Sequence, residues 1–188
     1  MSAPVTLPPV VEKARRLSHR LGFMRSCRNE TGRLLATLAA ATTGTLAETG
    51  TGSGIGAAWI RSGMRSGARL ITVEHDAKLA DAVREVFEGD AQVDVVQGDW
   101  TELTGAGPFS LLFLDVSEAK AAGPDTVADL MTPSGVVLLD DFTPYEGWPP
   151  MFGGRVDTVR QLWLTDPRFV TVEVMVASDS SVLIATRR

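Results

Sequence analysis

The sequence predicts an α/β fold in which a mostly parallel sheet is covered by helices on both faces. Three observations predict it. From Thr45 onward, short apolar strands alternate with helical segments, which is the order that builds a parallel sheet. The run from Phe109 to Asp115 is almost entirely apolar, as is typical of a strand covered on both faces. The chain ends with two strands joined by a short turn, and such strands must pair antiparallel.

Length and composition limit the classes of protein to consider. The chain has 188 residues, 44% of them hydrophobic, which suits one compact domain. We expect a single domain over residues 1–188, with N-terminal helices in 1–43 and the α/β core in 44–188. The formal net charge of −5 argues against nucleic-acid binding, which usually needs a basic face. No apolar stretch approaches the roughly 20 residues of a membrane span, and the N-terminus lacks a secretory signal. We therefore expect a cytoplasmic protein without a membrane partner.

Two helices are predicted before the first strand. The first carries an apolar stripe at helical spacing between Pro8–Pro9 and Gly22, formed by Val10, Ala14, Leu17 and Leu21. The second carries the stripe Leu34, Leu35, Leu38 and Ala41. These helices either cover a ligand site or form the interface of a homodimer, and the sequence does not choose.

The core elements follow in order. The predicted strands are Thr45–Thr49, Arg69–Glu74, Gln92–Gln97, Phe109–Asp115, Gly135–Asp140, Val170–Val176 and Val182–Thr186. Between them, one helix follows the capping residue Asp76, and a second starts near Pro124 and stops before Pro133. A last helix contains Val159 and Trp163 and ends at Asp166–Pro167.

A glycine-rich turn follows the first strand and is the strongest functional signal. Gly50, Gly52, Gly54 and Gly56 alternate with other residues, Ser53 among them, directly after Glu48 and Thr49. Such glycines let the backbone turn sharply and let a ligand lie against bare main chain. The following helix directs free N–H groups at that ligand. The alternative is a tight strand-to-helix turn that binds nothing.

Acidic residues close successive strands at the edge where parallel sheets bind ligands. Glu74 ends the second strand and can accept hydrogen bonds from both ribose hydroxyls. Asp99 follows the third strand and can accept from an adenine amino group, with Trp100 against the ring. Each acid alone is more often a helix cap or a solvated side chain.

Two cofactors fit this pattern. Gly52 to Ala57 matches the dinucleotide form G-x-G-x-x-A, and Glu74 suits the ribose of NAD(P). S-adenosylmethionine is favoured because Glu48, two residues before the first glycine, can face an ammonium group. The chain also lacks a second domain to hold a hydride acceptor.

Three further carboxylates are predicted to meet at the same edge. Asp115 ends the fourth strand, and Asp140 and Asp141 end the fifth. Neighbouring strands lie about 4.8 Å apart, so unpaired carboxylates there raise one another's pKa. A divalent cation such as Mg²⁺ would relieve that repulsion. The alternative is that Asp115 touches only the cofactor and that one of the other two caps a loop.

With these motifs, the chain from about Glu30 to Arg188 resembles S-adenosylmethionine-dependent O-methyltransferases of the catechol/caffeoyl-CoA type. The matching segments are Leu46–Gly54, Thr72–Asp76 with His75 in the ribose-binding segment, Gln97–Trp100, Leu114–Asp115 and Leu139–Asp141. The resemblance implies a Rossmann-like sheet of seven strands with the last strand antiparallel. It also implies that Asp115, Asp140 and Asp141 are metal ligands.

Departures from the family pattern fall on the catalytic positions. Asp141 stands where the family has asparagine, and Glu118 stands where it has a lysine. Lys120 is the nearest residue that could take the place of the family's lysine. The alternative is that Lys120 is a solvated lysine without a role in catalysis. The interval from Asp115 to Asp140 is also a few residues short. Catalysis is therefore assigned to Asp115 and Lys120, with or without a metal that lowers the pKa of an acceptor hydroxyl.

The acceptor is predicted to be a small molecule with a hydroxyl group. A Pro- and Gly-rich loop after Asp141 supplies aromatic side chains that can wall an aromatic acceptor or pack onto their own domain, among them Tyr145, Trp148 and Phe152. Three functions remain open at this stage: an O-methyltransferase, a nicotinamide-dependent oxidoreductase, and a non-catalytic module that kept the cofactor pocket.

Overall fold

The structure is a computed structural model that describes residues 5–24 and 26–188. Residues 1–4 lie outside the described residues, as does Arg25. The expectation of a cytoplasmic protein depends in part on that N-terminal segment.

Helices and strands alternate along the chain after two initial helices. The helices are α1 (Pro9–Leu21), α2 (Asn29–Ala41), α3 (Ile55–Gly63), α4 (Ala77–Val86), α5 (Ser117–Ala121), α6 (Gly123–Ala128) and α7 (Thr158–Thr165), with a 3-10 helix at Trp100–Gly105. The strands are β1 (Thr45–Thr49), β2 (Arg69–Glu74), β3 (Val93–Gln97), β4 (Phe109–Leu114), β5 (Met131–Phe142), β6 (Met151–Phe152), β7 (Arg155–Val156), β8 (Phe169–Ala177) and β9 (Ser180–Arg187).

Seven strands form one sheet in the order β3-β2-β1-β4-β5-β9-β8. The first five in that order pair parallel, while β9 pairs antiparallel with both β5 and β8. The predicted sheet is therefore confirmed, including its terminal hairpin. The strand order reverses between β1 and β4, and open α/β sheets bind ligands at such a point.

Each face of the sheet has its own hydrophobic core, because alternate strand residues point to opposite faces. In β4, Leu111 and Phe113 pack toward α1, α2, α3 and α4, while Leu112 and Leu114 pack toward α6 and α7. All four are essentially inaccessible to solvent. The apolar run at Phe109–Leu114 is thus a strand covered on both sides, as predicted.

The N-terminal helices pack on α3, and two glycines permit the close approach. A Cβ atom added at Gly63 would lie 2.0 Å from the Ala36 carbonyl oxygen of α2. One added at Gly32 would lie 2.2 Å from the Trp59 ring. Proline at the first turn and Gly22 in the left-handed conformation bracket α1, as predicted.

The segment between β4 and β5 differs from the prediction of one helix ending before Pro133. Gly123, with φ of 77°, separates α5 from α6. The chain is already extended at Met131, which pairs with Phe109 before the register shifts. Pro133 therefore lies inside β5, where the register shift removes the need for its missing N–H donor.

The loop after β5 contains a small hairpin, β6–β7, that periodicity does not predict because each strand has only two residues. Among the described helices, none is long and apolar enough to cross a membrane.

Candidate active site

A cleft of about 550 Å³ opens where the parallel strands end. Its volume lies within the usual range of ligand pockets, roughly 300–1,000 Å³. The lining comes from the N-terminal segment, the glycine turn and the ends of β1, β2, β4 and β5. It consists of Phe23, Met24, Ser26, Cys27, Arg28, Glu48, Gly50, Thr51, Gly52, Ser53, Ile55, Gly56, Glu74, Asp115, Val116, Ser117, Asp140 and Asp141.

A slightly larger groove, about 640 Å³, lies between α1 and α4 and is lined mainly by charged side chains such as Lys13, Arg20 and Arg84. It is far from the strand ends, where the glycine turn and the acids meet. We therefore assign ligand binding to the cleft.

The glycine turn is packed so closely that two of its glycines, Gly50 and Gly56, leave no room for a side chain. Gly50 has φ of 81°, and a Cβ there would lie 2.6 Å from the Val116 side chain. A Cβ at Gly56 would lie 2.1 Å from Oε1 of Glu48. Gly52 also has a positive φ, and it lines the cleft with Ser53. Bare main chain thus faces the cleft at these glycines.

Glu48 is a buried carboxyl at the floor of the cleft. Its Oε2 accepts a hydrogen bond from the Thr72 hydroxyl at 2.5 Å, and the Thr51 hydroxyl lies 2.5 Å from that of Thr72. Burial raises the pKa of Glu48 well above its usual value, and the Thr72 hydrogen bond opposes the shift. A carboxyl held this way favours a cationic group opposite it, because a nearby positive charge further offsets the cost of ionising it.

Glu74 joins the glycine turn to the end of β2. Its Oε2 accepts from the Gly52 N–H at 2.8 Å, and its Oε1 accepts from the Asp76 N–H at 2.9 Å. The side chain is nearly buried but lines the cleft. Each carboxylate oxygen can accept a second hydrogen bond, so Glu74 can still bind ribose hydroxyls.

Four of the predicted cofactor residues lie outside the lining of the cleft. Gly54 turns toward Val83 in the core. His75 and Asp99 are exposed, and Trp100 is half-buried at the start of the 3-10 helix. Asp99 caps that helix by accepting from the Thr101 N–H and hydroxyl, and these bonds lower the pKa of Asp99.

The three strand-end aspartates do converge on the cleft. The pKa of Asp115 is raised to about 7, mainly by burial. The charges of Asp141 and Asp140 also raise this pKa, and the charge of Lys120 opposes the rise. Asp140 is nearly inaccessible, and burial also raises its pKa. Its Oδ1 accepts from the Asp141 N–H at 2.8 Å and from the Thr31 hydroxyl at 3.3 Å.

A bulge at the end of β5 directs Asp140 and Asp141 to the same edge. The pairing of β5 with β9 shifts register between Leu139 and Phe142, and Asp141 adopts φ of 66°. Aspartate tolerates this left-handed conformation better than most residues, and bulges redirect side chains in this way.

A buried arginine anchors the loop that follows the bulge. The Arg160 guanidinium is inaccessible to solvent, donates to the Thr143 carbonyl at 2.8 Å and lies over the Phe142 ring. Its charge is balanced by the carboxylates of Asp157 and Glu173. Arg160 therefore holds the chain directly after Asp141 in place.

Lys120 is buried beside these acids, so the interpretation of a solvated lysine is wrong. Only 8% of the residue is exposed, and its Nζ donates to the Asp140 carbonyl oxygen at 2.8 Å. Nζ also lies 3.8 Å from Oδ2 of Asp141. Glu118, which stands where the resemblance places a lysine, is exposed.

The acids as placed do not fit the predicted divalent cation. Among the described residues, no three His, Cys, Asp or Glu side chains are arranged to hold one ion. The Asp140 carboxylate accepts two hydrogen bonds within the protein, and the Lys120 ammonium lies between the main-chain carbonyl of Asp140 and the carboxylate of Asp141.

The N-terminal segment supplies site residues that sequence reasoning missed. Thr31 reaches Asp140 from α2, and Ser26 lies 3.4 Å from Ser53 of the glycine turn, oxygen to oxygen. Arg28 donates to Asp179 in the β8–β9 turn, at 2.9 and 3.0 Å. These contacts join distant parts of the chain, so no local pattern reveals them. Within the described residues, the segment between α1 and α2 covers the cleft.

The predicted aromatic wall is exposed. Tyr145, Trp148 and Phe152 have exposed fractions of 43%, 61% and 65%. They lie on the loop that Arg160 anchors, directly after the acidic bulge. The loop aromatics therefore do not pack into the core of their own domain.

Comparison with known proteins gives one family and many similar structures. A family model described as a methyltransferase domain matches residues 47–142, just over half of the chain. A search of curated proteins found no match to the sequence.

Similar solved structures share the fold over nearly the whole chain. A cofactor-bound protein from MTB superposes with a TM-score of 0.81 at 23% identity, covering 100% of this chain and 94% of that one. An O-methyltransferase from Bacillus cereus in complex with SAH has a TM-score of 0.78 at 20% identity, covering 97% and 93%. The O-methyltransferase TomG from Streptomyces achromogenes, in complex with SAM, has a TM-score of 0.76 at 18% identity, covering 98% and 92%. The Rossmann-like fold predicted from the sequence is thus confirmed.

Proposed function

Because the chain belongs to the methyltransferase-domain family, we propose that it transfers the methyl group of S-adenosylmethionine to a hydroxyl oxygen of a small molecule. The observation that carries the proposal is the acidic cleft at the strand ends, where a glycine turn meets five carboxylates: Glu48, Glu74, Asp115, Asp140 and Asp141. The O-methyltransferase names of similar structures support oxygen as the acceptor atom.

Charge decides between the two cofactors that the glycine turn allows. S-adenosylmethionine carries a sulfonium and an ammonium group, and an acidic cleft attracts both. NAD(P) carries a pyrophosphate, which the same carboxylates repel. The oxidoreductase alternative is therefore not favoured.

The residues assigned to the cofactor are each assigned to one part of S-adenosylmethionine. Glu48 faces the ammonium end, and the main chain of Gly50, Gly52 and Ser53 lies along the ligand. Glu74 accepts from the ribose hydroxyls. We assign the adenine end to His75, Asp99 and Trp100, with Gly54 shaping the turn. The placement of β3 beside β2, with Glu74 opposite Gln97, supports this assignment because Asp99 then follows at the same edge.

Catalysis is assigned to Asp115 and Lys120. When bound, S-adenosylmethionine supplies a methyl group on a positively charged sulfur; the S–CH₃ bond breaks as the O–CH₃ bond forms, leaving S-adenosylhomocysteine. Lys120 holds the acceptor oxygen through an ammonium N–H, and Asp115 takes the hydroxyl proton. The main contribution of the protein is to align the acceptor with the methyl group. No step is assigned to a divalent cation, because the acids do not fit one.

The exposed aromatic loop supports an aromatic acceptor, since it extends from the acidic bulge that ends β5. Stacking on such side chains would order an aromatic ring beside Lys120. A homodimer and a cytoplasmic location stay predictions of the sequence.

Calorimetric titration tests the cofactor assignment. S-adenosylhomocysteine is expected to bind at micromolar concentration, and NAD(P) is expected not to bind. Transfer of a labelled methyl group to a panel of small hydroxyl compounds then tests the reaction. Binding of S-adenosylhomocysteine without transfer to any hydroxyl acceptor would favour the non-catalytic module.

A further inference from the structure

Lys120 contacts two of the three aspartates for which the sequence predicts a divalent cation. Its Nζ donates to the main-chain carbonyl of Asp140 at 2.8 Å and lies 3.8 Å from the Asp141 carboxylate. One fixed positive charge therefore already neutralises part of this acidic cluster.

The position of Lys120 follows from the packing of the short helix α5. Ala119 and Lys120 are its buried residues, while Glu118 points to solvent. The indole N–H of Trp163, itself fully buried in α7, donates to the Lys120 carbonyl at 3.1 Å. Because this bond fixes the main chain of Lys120, its side chain lies inside the domain and not along the surface.

We propose that the Lys120 ammonium is the resident cation of this site and that methyl transfer proceeds without a bound divalent metal ion. The inference rests on the proposed function for the reaction itself. A metal ion among the same aspartates would lie within a few ångströms of the ammonium, so repulsion between the two positive charges weakens binding of the metal ion.

The ammonium performs only part of what a metal ion would do. It has three N–H donors, of which the Asp140 carbonyl takes one and Asp141 attracts another. We assign the third donor to the acceptor oxygen. The methyl group passes from sulfur to oxygen and the hydroxyl proton goes to Asp115, so charge and atoms balance.

Manganese binding tests this inference without any methyl acceptor. Mn²⁺ is titrated into the purified protein, and the signal of the unbound Mn²⁺ is followed by electron paramagnetic resonance. The wild-type protein is expected to bind no Mn²⁺ below about 1 mM, whereas Lys120→Met is expected to bind it at least about tenfold more tightly. Lys78→Met removes an exposed lysine of α4 and is expected to behave as wild type.

Lys120→Gln provides a second variant if Lys120→Met does not fold, and S-adenosylhomocysteine binding reports whether each variant keeps the cofactor cleft. Wild-type binding of Mn²⁺ below about 1 mM, or a rise in its unfolding temperature with Mn²⁺ relative to chelator, overturns the inference. Folded Lys120 variants that gain no Mn²⁺ affinity also overturn it. Failure of the proposed function has a different signature, namely loss of S-adenosylhomocysteine binding by the wild type.

Discussion

Glu74 has two roles in the cleft, and a single substitution removes both. It holds the Gly52 N–H and is positioned to accept from ribose hydroxyls. We expect Glu74→Ala to weaken S-adenosylhomocysteine binding by about 10- to 100-fold, because hydrogen bonds to a charged group contribute about 1.5–3 kcal/mol. Calorimetry measures the change. Glu88→Ala, at an exposed glutamate after α4, serves as the control. If Glu74→Ala leaves the dissociation constant of S-adenosylhomocysteine unchanged, Glu74 does not bind the cofactor.

Asp115 gives stability a defined dependence on pH. Its pKa is about 7 in the folded protein against an ordinary value of 3.8, because burial disfavours the charged form. The folded state therefore binds one more proton than the unfolded state between these two pH values, so stability falls as pH rises from about 4 to 7 and stays at the lower level above pH 7.

Replacing Asp115 by asparagine removes that loss of stability. The free energy of unfolding of Asp115→Asn is expected to exceed that of wild type by roughly 4 kcal/mol at pH 8, with the difference shrinking as pH falls from 7 toward 4. Denaturant unfolding at several pH values, without cofactor, measures it. Asp129→Asn, at an exposed position, should show no such trend. A difference independent of pH would contradict the account.

Cleft residues at the ends of strands were predictable from the sequence, and those placed by contacts between distant segments were not. Glu48, Glu74 and Asp115 follow from strand ends and glycine spacing alone. The burial of Lys120 depends on its helix face and on Trp163, which is 43 residues away in sequence. The contact between Thr31 and Asp140 spans 109 residues and has no local signal.

At the scale of elements, α2 and α3 are held together by an approach that only glycine allows. Gly63→Ala would place a methyl group 2.0 Å from a main-chain oxygen that cannot rotate away. We expect it to lower the free energy of unfolding by about 1–3 kcal/mol, although alanine ordinarily favours helices.

Gly105→Ala is the matched control for this substitution, since nothing lies within 4 Å of a Cβ there. Its effect is expected to be within about 0.5 kcal/mol. A Gly63→Ala protein as stable as wild type would mean that α2 does not contact α3 this closely.

Strand positions were predicted better than the boundaries between irregular elements. Short apolar runs, with strict alternation at Val170–Val176, predicted all seven strands of the main sheet, because buried strand residues leave a clear pattern. The separation of α5 from α6 depends on the left-handed Gly123, and the start of β5 depends on pairing with Phe109. Neither of these causes can be read from the local pattern.

Over the whole molecule, the N-terminal helices and the sheet share one core. Val11, Ala14 and Leu35 belong to the same buried cluster as Leu46 and Leu111 of the sheet. We therefore expect one cooperative unfolding transition, with tryptophan fluorescence and circular dichroism giving the same midpoint. S-adenosylhomocysteine at about 100 times its dissociation constant should add about 2.7 kcal/mol of stability. Two separate transitions would show that the helices fold apart from the core.

The structure of a complex with S-adenosylhomocysteine tests the central claim most directly. The account predicts the ligand in the cleft at the strand ends, with its ribose hydroxyls within hydrogen-bond distance of Glu74 and its sulfur on the side of Asp115. The ligand in the groove between α1 and α4, or Glu74 turned away from the ribose, would contradict it.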